Sequence, residues 1–328
     1  MEIFKKIVSI IIRVGISIIL LVALFKFNKI DIHDLMQDIK DADKLLLAVG
    51  FLIFFLAYFL SFLRWRMLLK AVGISIPFKK LMSAYCGGVF FSIFLPSTIG
   101  GDIVRSADLG EHTKKVKEVI ATVFLDRLSG YIGLIMVLLP AIFFGKDLVA
   151  DRVVFTSVAV MISLLAMVLL VLFNKRIYAL ISKFLSTPKA GKIKEAIRDM
   201  HQEIHIFRNH QRVIIGNIIL SIIIQIISPL CIYFIACSLG LRINFVYFLI
   251  FLPIIGAITL IPISIGGLGL REGLFVVYFA KAGVIKQLAL AMSLLSFSFI
   301  VIYGAIGGLI YVLTVRHRRL QPHKPSCV

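Results

Sequence analysis

Apolar runs long enough to cross a hydrocarbon layer recur along the whole of this 328-residue chain. A spanning helix needs ~20 consecutive apolar residues, and soluble cores have no place for so many such runs. Six segments read as full crossings, at roughly 7–25, 45–63, 128–145, 153–173, 213–239 and 288–313. Hydrophobic residues make up 60% of the chain and the mean hydropathy is +1.03, far from soluble averages. No long hydrophilic stretch is left for a soluble catalytic domain. The expected fold is therefore an all-α polytopic membrane protein, a single transmembrane domain over residues 1–328. The first run follows Lys5 and Lys6, is long, and has no small-residue cleavage site before Lys26, so it reads as a retained helix and not a signal peptide.

The net charge of +19 does not point to nucleic acid, because the bases sit between and beside the spans. Cytoplasmic retention of Lys and Arg and attraction to anionic lipid account for them there. Cys86, Cys231 and Cys237 lie in apolar segments and Cys327 in the tail, without a C-x-x-C pair, so neither a disulfide framework nor a zinc site is expected. No cofactor is implied.

Two further apolar stretches, about 80–110 and 245–281, are each interrupted by the same phrase. The first copy runs Pro96-Ser97-Thr98-Ile99-Gly100-Gly101-Asp102-Ile103-Val104-Arg105, and the second Pro262-Ile263-Ser264-Ile265-Gly266-Gly267-Leu268-Gly269-Leu270-Arg271. Pro, Ile, the Gly pair and Arg coincide, and Thr98 matches Ser264 as a hydroxyl. Loop charge decides how these stretches behave. Residues 26–44 carry five Asp against four Lys and fit outside, whereas Arg64, Arg66, Lys70, Lys79 and Lys80 fit inside. Lys114, Lys115, Lys117 and Arg127 are basic again, so the stretch before them must return to the side it left. Residues 146–152 and 240–244 fit outside; residues 174–212, with nine Lys or Arg against Glu195, Asp199 and Glu203, fit inside, as do Arg316, Arg318 and Arg319.

This pattern yields an inverted-topology repeat with six full spans and two opposed re-entrant, broken helical hairpins. The halves are 1–148, with a hairpin at about 80–110, and 149–328, with a hairpin at about 245–281. Three crossings per half reverse the orientation, so the hairpins enter from opposite leaflets and their tips can meet near the midplane, as discontinuous helices do in many transporters. Both termini are expected in the cytoplasm, and the membrane to be a prokaryotic cytoplasmic membrane.

Physically, Pro96 and Pro262 lack an amide donor and disfavour helix just before them, while the Gly pairs tolerate unusual backbone angles. They are the expected hinges. Amides freed at the next half-helix, together with its dipole, favour an anion. Arg105 and Arg271 each follow a Gly pair by four residues, one helical turn, where a guanidinium can fork onto phosphate oxygens. The expected phosphate site is Arg105, Arg271, Gly100, Gly101, Gly266, Gly267, Thr98 and Ser264. An Arg inside a span is costly and marks a site with a partner; Asp102, Asp108, Glu272 and Asp126 are the candidate counter-charges. The competing reading, common membrane Gly and Pro with snorkelling Arg, weakens because the pattern occurs twice at inverted positions. Asp126 and Arg127 open the third crossing and, as adjacent residues, must pair with other elements. Arg13 is the lone charge deep in the first span.

Two extramembrane stretches have helical periodicity: Ile32, Leu35, Met36 and Ile39 outside, and Ile177 to Phe184 with Ile193 to Ile204 inside, the latter like basic amphipathic helices on a membrane surface. His201 and His205 have a metal-capable spacing, but a solvated face explains it, and Glu203 is not placed as in H-E-x-x-H. Gly266-Gly267-Leu268-Gly269 is flanked by membrane helices and not by a strand, so it does not bind a dinucleotide.

Gly-Gly-Asp-x-x-Arg at 100–105, Leu-Asp-Arg-Leu at 125–128 and Ile-Gly-Gly-Leu-Gly-Leu-Arg-Glu at 265–272 resemble the lysylphosphatidylglycerol synthase transmembrane-region family, also called flippase-like domain proteins. The resemblance covers nearly the whole chain. That family includes the membrane portion of the multiple peptide resistance factor, which moves aminoacylated phosphatidylglycerol between leaflets, and relatives linked to polyprenyl-phosphate sugar pathways. The soluble aminoacyltransferase domain of the resistance factor has no counterpart here, so the resemblance implies translocation and not lipid synthesis. The expected substrate is an anionic or phosphate-bearing membrane lipid, with a lipid-modifying or glycosyltransferase enzyme as a possible partner. An intramembrane transferase or accessory subunit for lipid-linked sugars, and a small-anion transporter, are the alternatives; no catalytic constellation is recognised, so an enzyme is not expected.

Overall fold

The computed structural model describes residues 2–28, 30–95, 98–146, 150–173, 210–261 and 264–320. Eleven α-helices are found there: α1 (Glu2–Asn28), α2 (Ile32–Asp41), α3 (Lys44–Ala71), α4 (Phe78–Phe94), α5 (Thr98–Thr113), α6 (Val116–Phe144), α7 (Arg152–Phe173), α8 (Gln211–Ser238), α9 (Phe245–Thr259), α10 (Leu270–Ala280) and α11 (Lys286–Leu320). The described residues contain no strand. Four helices are long and apolar enough to cross a membrane: α3, α6, α8 and α11 over Lys286–Thr314. Their apolar residues face outward as well as inward; Leu52, Leu139, Ile219 and Leu309 are all exposed. Bare hydrocarbon of that extent suits lipid and not water. The segments around Ile177–Ile204, with His201 and His205, lie outside the described residues.

Acidic residues in the 26–44 connection have structural work beyond topology. Asp31 caps α2 by accepting from the His33 amide at 2.7 Å, and Asp43 caps α3 by accepting from Leu45 at 2.8 Å. Each satisfies an amide that the first helical turn leaves without a partner. Asp38 accepts from Gln287 Nε2 at the start of α11, and the Asp43 amide donates to the Ser238 carbonyl at 2.9 Å. Lys281, past the end of α10, pairs with Asp151 at 2.6 Å. Residues 30–43, 150–151, 238–244 and 281–285 therefore gather at one end of the bundle.

The two interrupted stretches are helical hairpins that open toward opposite ends. In the second, Phe248 and Phe279 lie 5.1 Å apart between ring centres, close to that first end, so α9 and α10 start and finish there. In the first, α4 begins beside Phe62, near the far end of α3, with Phe62 and Phe78 rings 5.2 Å apart. The α4–α5 crossing is as close as backbone allows: a Cβ on Gly101 would lie 2.2 Å from the Gly88 carbonyl oxygen. Along α11, Gly304, Gly307 and Gly308 admit Ile93, Cys86 and Phe90 of α4 in the same way. Small residues set helix contacts in lipid because apolar surface gains nothing there by leaving hydrocarbon for more hydrocarbon.

The hairpin tips touch. A Cβ on Gly266 would sit 3.4 Å from the Ile93 carbonyl oxygen, in the last turn of α4. Gly269, at φ +82°, packs against Ser17 and Leu20 of α1, so the second tip is held between α1 and α4.

Gly101→Ala is expected to destabilise the protein by about 1–3 kcal/mol, because overpacking must separate α4 from α5. Gly256→Ala, with nothing within 4 Å of its would-be Cβ, is expected to be neutral or slightly stabilising. Thermal unfolding in one detergent compares them. A second expectation concerns acid. The Lys281 ammonium and the Val153 and Val154 amides hold the Asp151 carboxyl below its ordinary value. That contribution is complete above the ordinary carboxylate range and is lost as pH falls through the lowered value. The melting difference between the parent and Lys281→Ala should thus shrink to nothing on acidification.

Candidate functional site

The centre of the bundle holds a chain of ion pairs built from α3, α5 and α6. α6 begins at Val116, about a dozen residues earlier than the apolar pattern suggested, so Asp126 and Arg127 lie well inside the helix and do not open it. The reason is that α6 starts in a charged, polar stretch that a hydropathy reading discounts. Successive helical residues project about 100° apart, so the two neighbours reach different partners. Asp126 Oδ1 accepts from Arg64 Nε at 2.8 Å and Oδ2 from Arg105 Nη2 at 3.2 Å. Asp102 Oδ1 accepts from Arg105 Nε at 3.0 Å, and Oδ2 from Arg127 Nε at 2.8 Å.

Each of the four carboxylate oxygens is engaged. Arg64 also donates to Ser221 Oγ at 3.0 Å, and Asn217 Nδ2 donates to the Arg64 carbonyl at 3.1 Å, tying α8 into the network. The Arg105 guanidinium lies 4.5 Å from the Trp65 ring centre and 5.6 Å from that of Tyr85. Trp65 is oriented by its own bond to Thr122 Oγ1 at 3.2 Å. An aromatic face stabilises a guanidinium where water is scarce.

Arg64 lies just beyond the expected end of the 45–63 span, yet α3 continues to Ala71 and Arg64 is 8% exposed within it. Sequence reasoning also passed over Trp65, Ser221 and Asn217. An Arg-Trp-Arg triplet inside a continuing apolar helix was the available signal.

The second copy has a different backbone. Gly266, Gly267 and Gly269 all have positive φ, and α10 starts only at Leu270. Glu272, fully buried, reaches back to the Gly269 amide at 2.6 Å and pairs with Arg271. The amide that the half-helix exposes is thus already occupied by a carboxylate of the same helix, as in one half of a capping box. Arg271 Nε donates to Ser293 Oγ at 3.3 Å, and its guanidinium lies 4.7 Å from the Phe297 ring centre. In the first copy, by contrast, Gly100 and Gly101 are helical and lie in the first turn of α5. They do not break the helix; Gly101 allows the close approach to Gly88 instead. The two Gly pairs therefore do different work: one packs, the other bends.

Both arginines reach one cavity of about 870 Å³, with Gly101, Asp102, Asp126 and Arg127 also on its wall. Polar groups Gln225, Ser228 and Ser296 join them, and Met161, Leu164, Leu252 and Ile255 form an apolar flank. Gly100, Ser264, Gly266 and Gly267 stay off that wall; Ser264 is 3% exposed, and its hydroxyl has no hydrogen-bond partner among the described residues. Pro96 and Pro262 lie outside the described residues, as do the side chains of Thr98 and Arg13. Chemically, the cavity offers guanidinium donors at one side and hydrocarbon at the other, a lining suited to an amphiphile with an anionic head.

Asp126→Ala is expected to destabilise the protein by about 3–5 kcal/mol, since it leaves buried Arg64 without a carboxylate and Arg105 with one of its two. The double change Arg64→Leu with Asp126→Leu removes one charge of each sign and should cost less than Asp126→Ala alone. Equilibrium unfolding in mixed micelles provides the comparison.

The sequence description of the lysylphosphatidylglycerol synthase TM region matches residues 10–308. A UPF0104 membrane protein of Pyrococcus horikoshii is 25% identical over 280 residues, which are 77% of this chain and 82% of that protein. Two UPF0104 membrane proteins of Methanothermobacter thermautotrophicus are 23% identical over 278 residues and 24% over 284, covering 77% and 79% of this chain and 80% of each relative. The match takes in both copies of the Gly-Gly phrase, the Leu-Asp-Arg-Leu segment, three of the four long apolar helices and most of the fourth. The chain is an integral membrane protein and belongs to the lysylphosphatidylglycerol synthase transmembrane-region family.

Proposed function

We propose that this protein moves an anionic or phosphate-bearing lipid, a modified phospholipid or a polyprenyl-phosphate-linked intermediate, from one leaflet to the other. The observation that carries this reading is the shared cavity: both copies of the repeated phrase contribute an arginine to it, beside an apolar flank. A lipid headgroup cannot cross hydrocarbon unaided, because its charge loses hydration with nothing in return. Guanidinium groups in the middle of the bundle replace part of that hydration, while the hydrocarbon chains stay against apolar walls. The family's membership of lipid-handling membrane proteins, as its name records, points the same way.

In this reading the membrane contains six full spans, α1, α3, α6, α7, α8 and α11, and the hairpins α4–α5 and α9–α10 are re-entrant from opposite leaflets. The halves 1–148 and 149–328 then form an inverted repeat with both termini in the cytoplasm. Rocking of one half on the other exposes the cavity to each leaflet in turn. Asp102 and Glu272 keep Arg105 and Arg271 neutralised while the site is empty, which lowers the cost of charge at that depth. The contact between Ile93 and Gly266 is the natural pivot, since it joins the two tips without a side chain on the glycine.

Leaflet exchange of a fluorescent anionic phospholipid in proteoliposomes tests the reading. Replacing both Arg105 and Arg271 by Ala should reduce the rate at least ~10-fold, because it removes the ion pairs, charge-assisted bonds worth about 1.5–3 kcal/mol each, that hold the charged wall of the cavity in place. Unchanged exchange by a folded double variant would remove the site assignment.

A further inference from the structure

Three guanidinium groups, those of Arg64, Arg105 and Arg127, share two carboxylates, Asp102 and Asp126. Arg271 and Glu272 cancel one another. The cluster on the first wall is therefore left with one positive charge, and the geometry decides where it resides. Arg105 is held by both carboxylates and by Trp65, with its side chain 6% exposed. The Arg64 side chain is 9% exposed and divides its donors between Asp126 and Ser221. Arg127 differs from both. Its side chain is 41% exposed, it lines the cavity, and only its Nε has a partner among the described residues, leaving the two terminal nitrogens of the fork without one.

We propose that Arg127, and not Arg105, receives the anion, and that the site is matched to a single negative charge, that of a lipid phosphodiester. The inference rests on the lipid reading above and narrows its substrate class. Arg64 and Arg105 are positioning residues: they are already neutralised, and they hold Asp126 and Asp102 so that Asp102 can orient Arg127 through Nε. A guanidinium fixed at Nε presents Nη1 and Nη2 as a fork, which fits two oxygens of one phosphate. A phosphodiester brings the cluster to neutrality. A phosphomonoester, nearly doubly charged at pH 8, leaves an unbalanced charge in a site of low polarity.

The molecule carries its own reporter for a test, because Trp65 is the single tryptophan and touches Arg105. Phosphatidylglycerol, phosphatidic acid and diacylglycerol are titrated at pH 8 into the detergent-solubilised protein while Trp65 emission is followed. The same protein is then assayed for leaflet exchange of fluorescent phosphatidylglycerol. The parent should respond saturably to phosphatidylglycerol, less to phosphatidic acid, and not to diacylglycerol, which has the tails without the phosphate. Arg127→Gln should weaken the phosphatidylglycerol response roughly 10- to 100-fold, and Arg127→Lys should restore part of it. Asp102→Asn adds one net positive charge, so its preference should move toward phosphatidic acid, a change that a merely structural role does not produce.

Undiminished phosphatidylglycerol affinity in Arg127→Gln, or an unchanged preference in Asp102→Asn, overturns the proposal. Exchange that persists in Arg127→Gln alongside unchanged binding removes the anion assignment and leaves translocation standing. An Arg127-dependent response without exchange by the parent retains the anion site and removes translocation.

Discussion

Charge buried in a membrane protein has to be matched within the protein, and in this bundle the matching runs through two carboxylates. Asp126 lies between Arg64 and Arg105, and Asp102 between Arg105 and Arg127. Because these residues come from α3, α5 and α6, with Ser221 and Asn217 of α8 bonded to Arg64 or its backbone, the pairing fixes how four helices sit against one another. An arginine at such depth costs several kcal/mol when unpaired. The first hairpin cannot withdraw from α6 without exposing two of them.

Close approach of backbone makes that pairing possible. Arg105 and Asp102 reach α6 only because α5 lies flat on α4, at a crossing where Gly88 and Gly101 leave no room for any side chain. The α4–α11 contact uses Gly304, Gly307 and Gly308 similarly, and it places Ile93 where Gly266 can meet it. Packing and electrostatics are thus two aspects of one arrangement. Glycine brings the helices within reach, and the ion pairs make separation costly.

Much of the fold was legible from periodicity and charge. Each of the six long apolar runs falls on a helix, with most ends matched to within a few residues, and four of those helices are long and apolar enough to cross a membrane. Two boundaries were misplaced, at Arg64–Ala71 of α3 and Val116–Arg127 of α6, and both misplacements have one cause. Hydropathy treats a charged residue as the end of a span, whereas these charged residues are compensated by partners far away in sequence. Arg64 and Asp126 are 62 positions apart. Adjacent positions Asp126 and Arg127 could be told to diverge, but not toward what.

The sequence by itself determined that this chain is a membrane protein, all-helical over its described residues, with two matching interruptions, each carrying a Gly pair and an arginine. Hydrophobic length, the restricted backbone of proline and the permissive backbone of glycine suffice for that, since all act locally. Only the tertiary structure decided that the two copies are unequal. Gly101 is helical and packs against Gly88, while Gly266 and Gly267 turn left-handed before α10 and place Glu272 on the Gly269 amide. It also decided that both arginines face one cavity and that the exposed guanidinium there belongs to Arg127. Those outcomes depend on which oxygens remain after each carboxylate has met its partners, a property of the assembled bundle that no local pattern encodes.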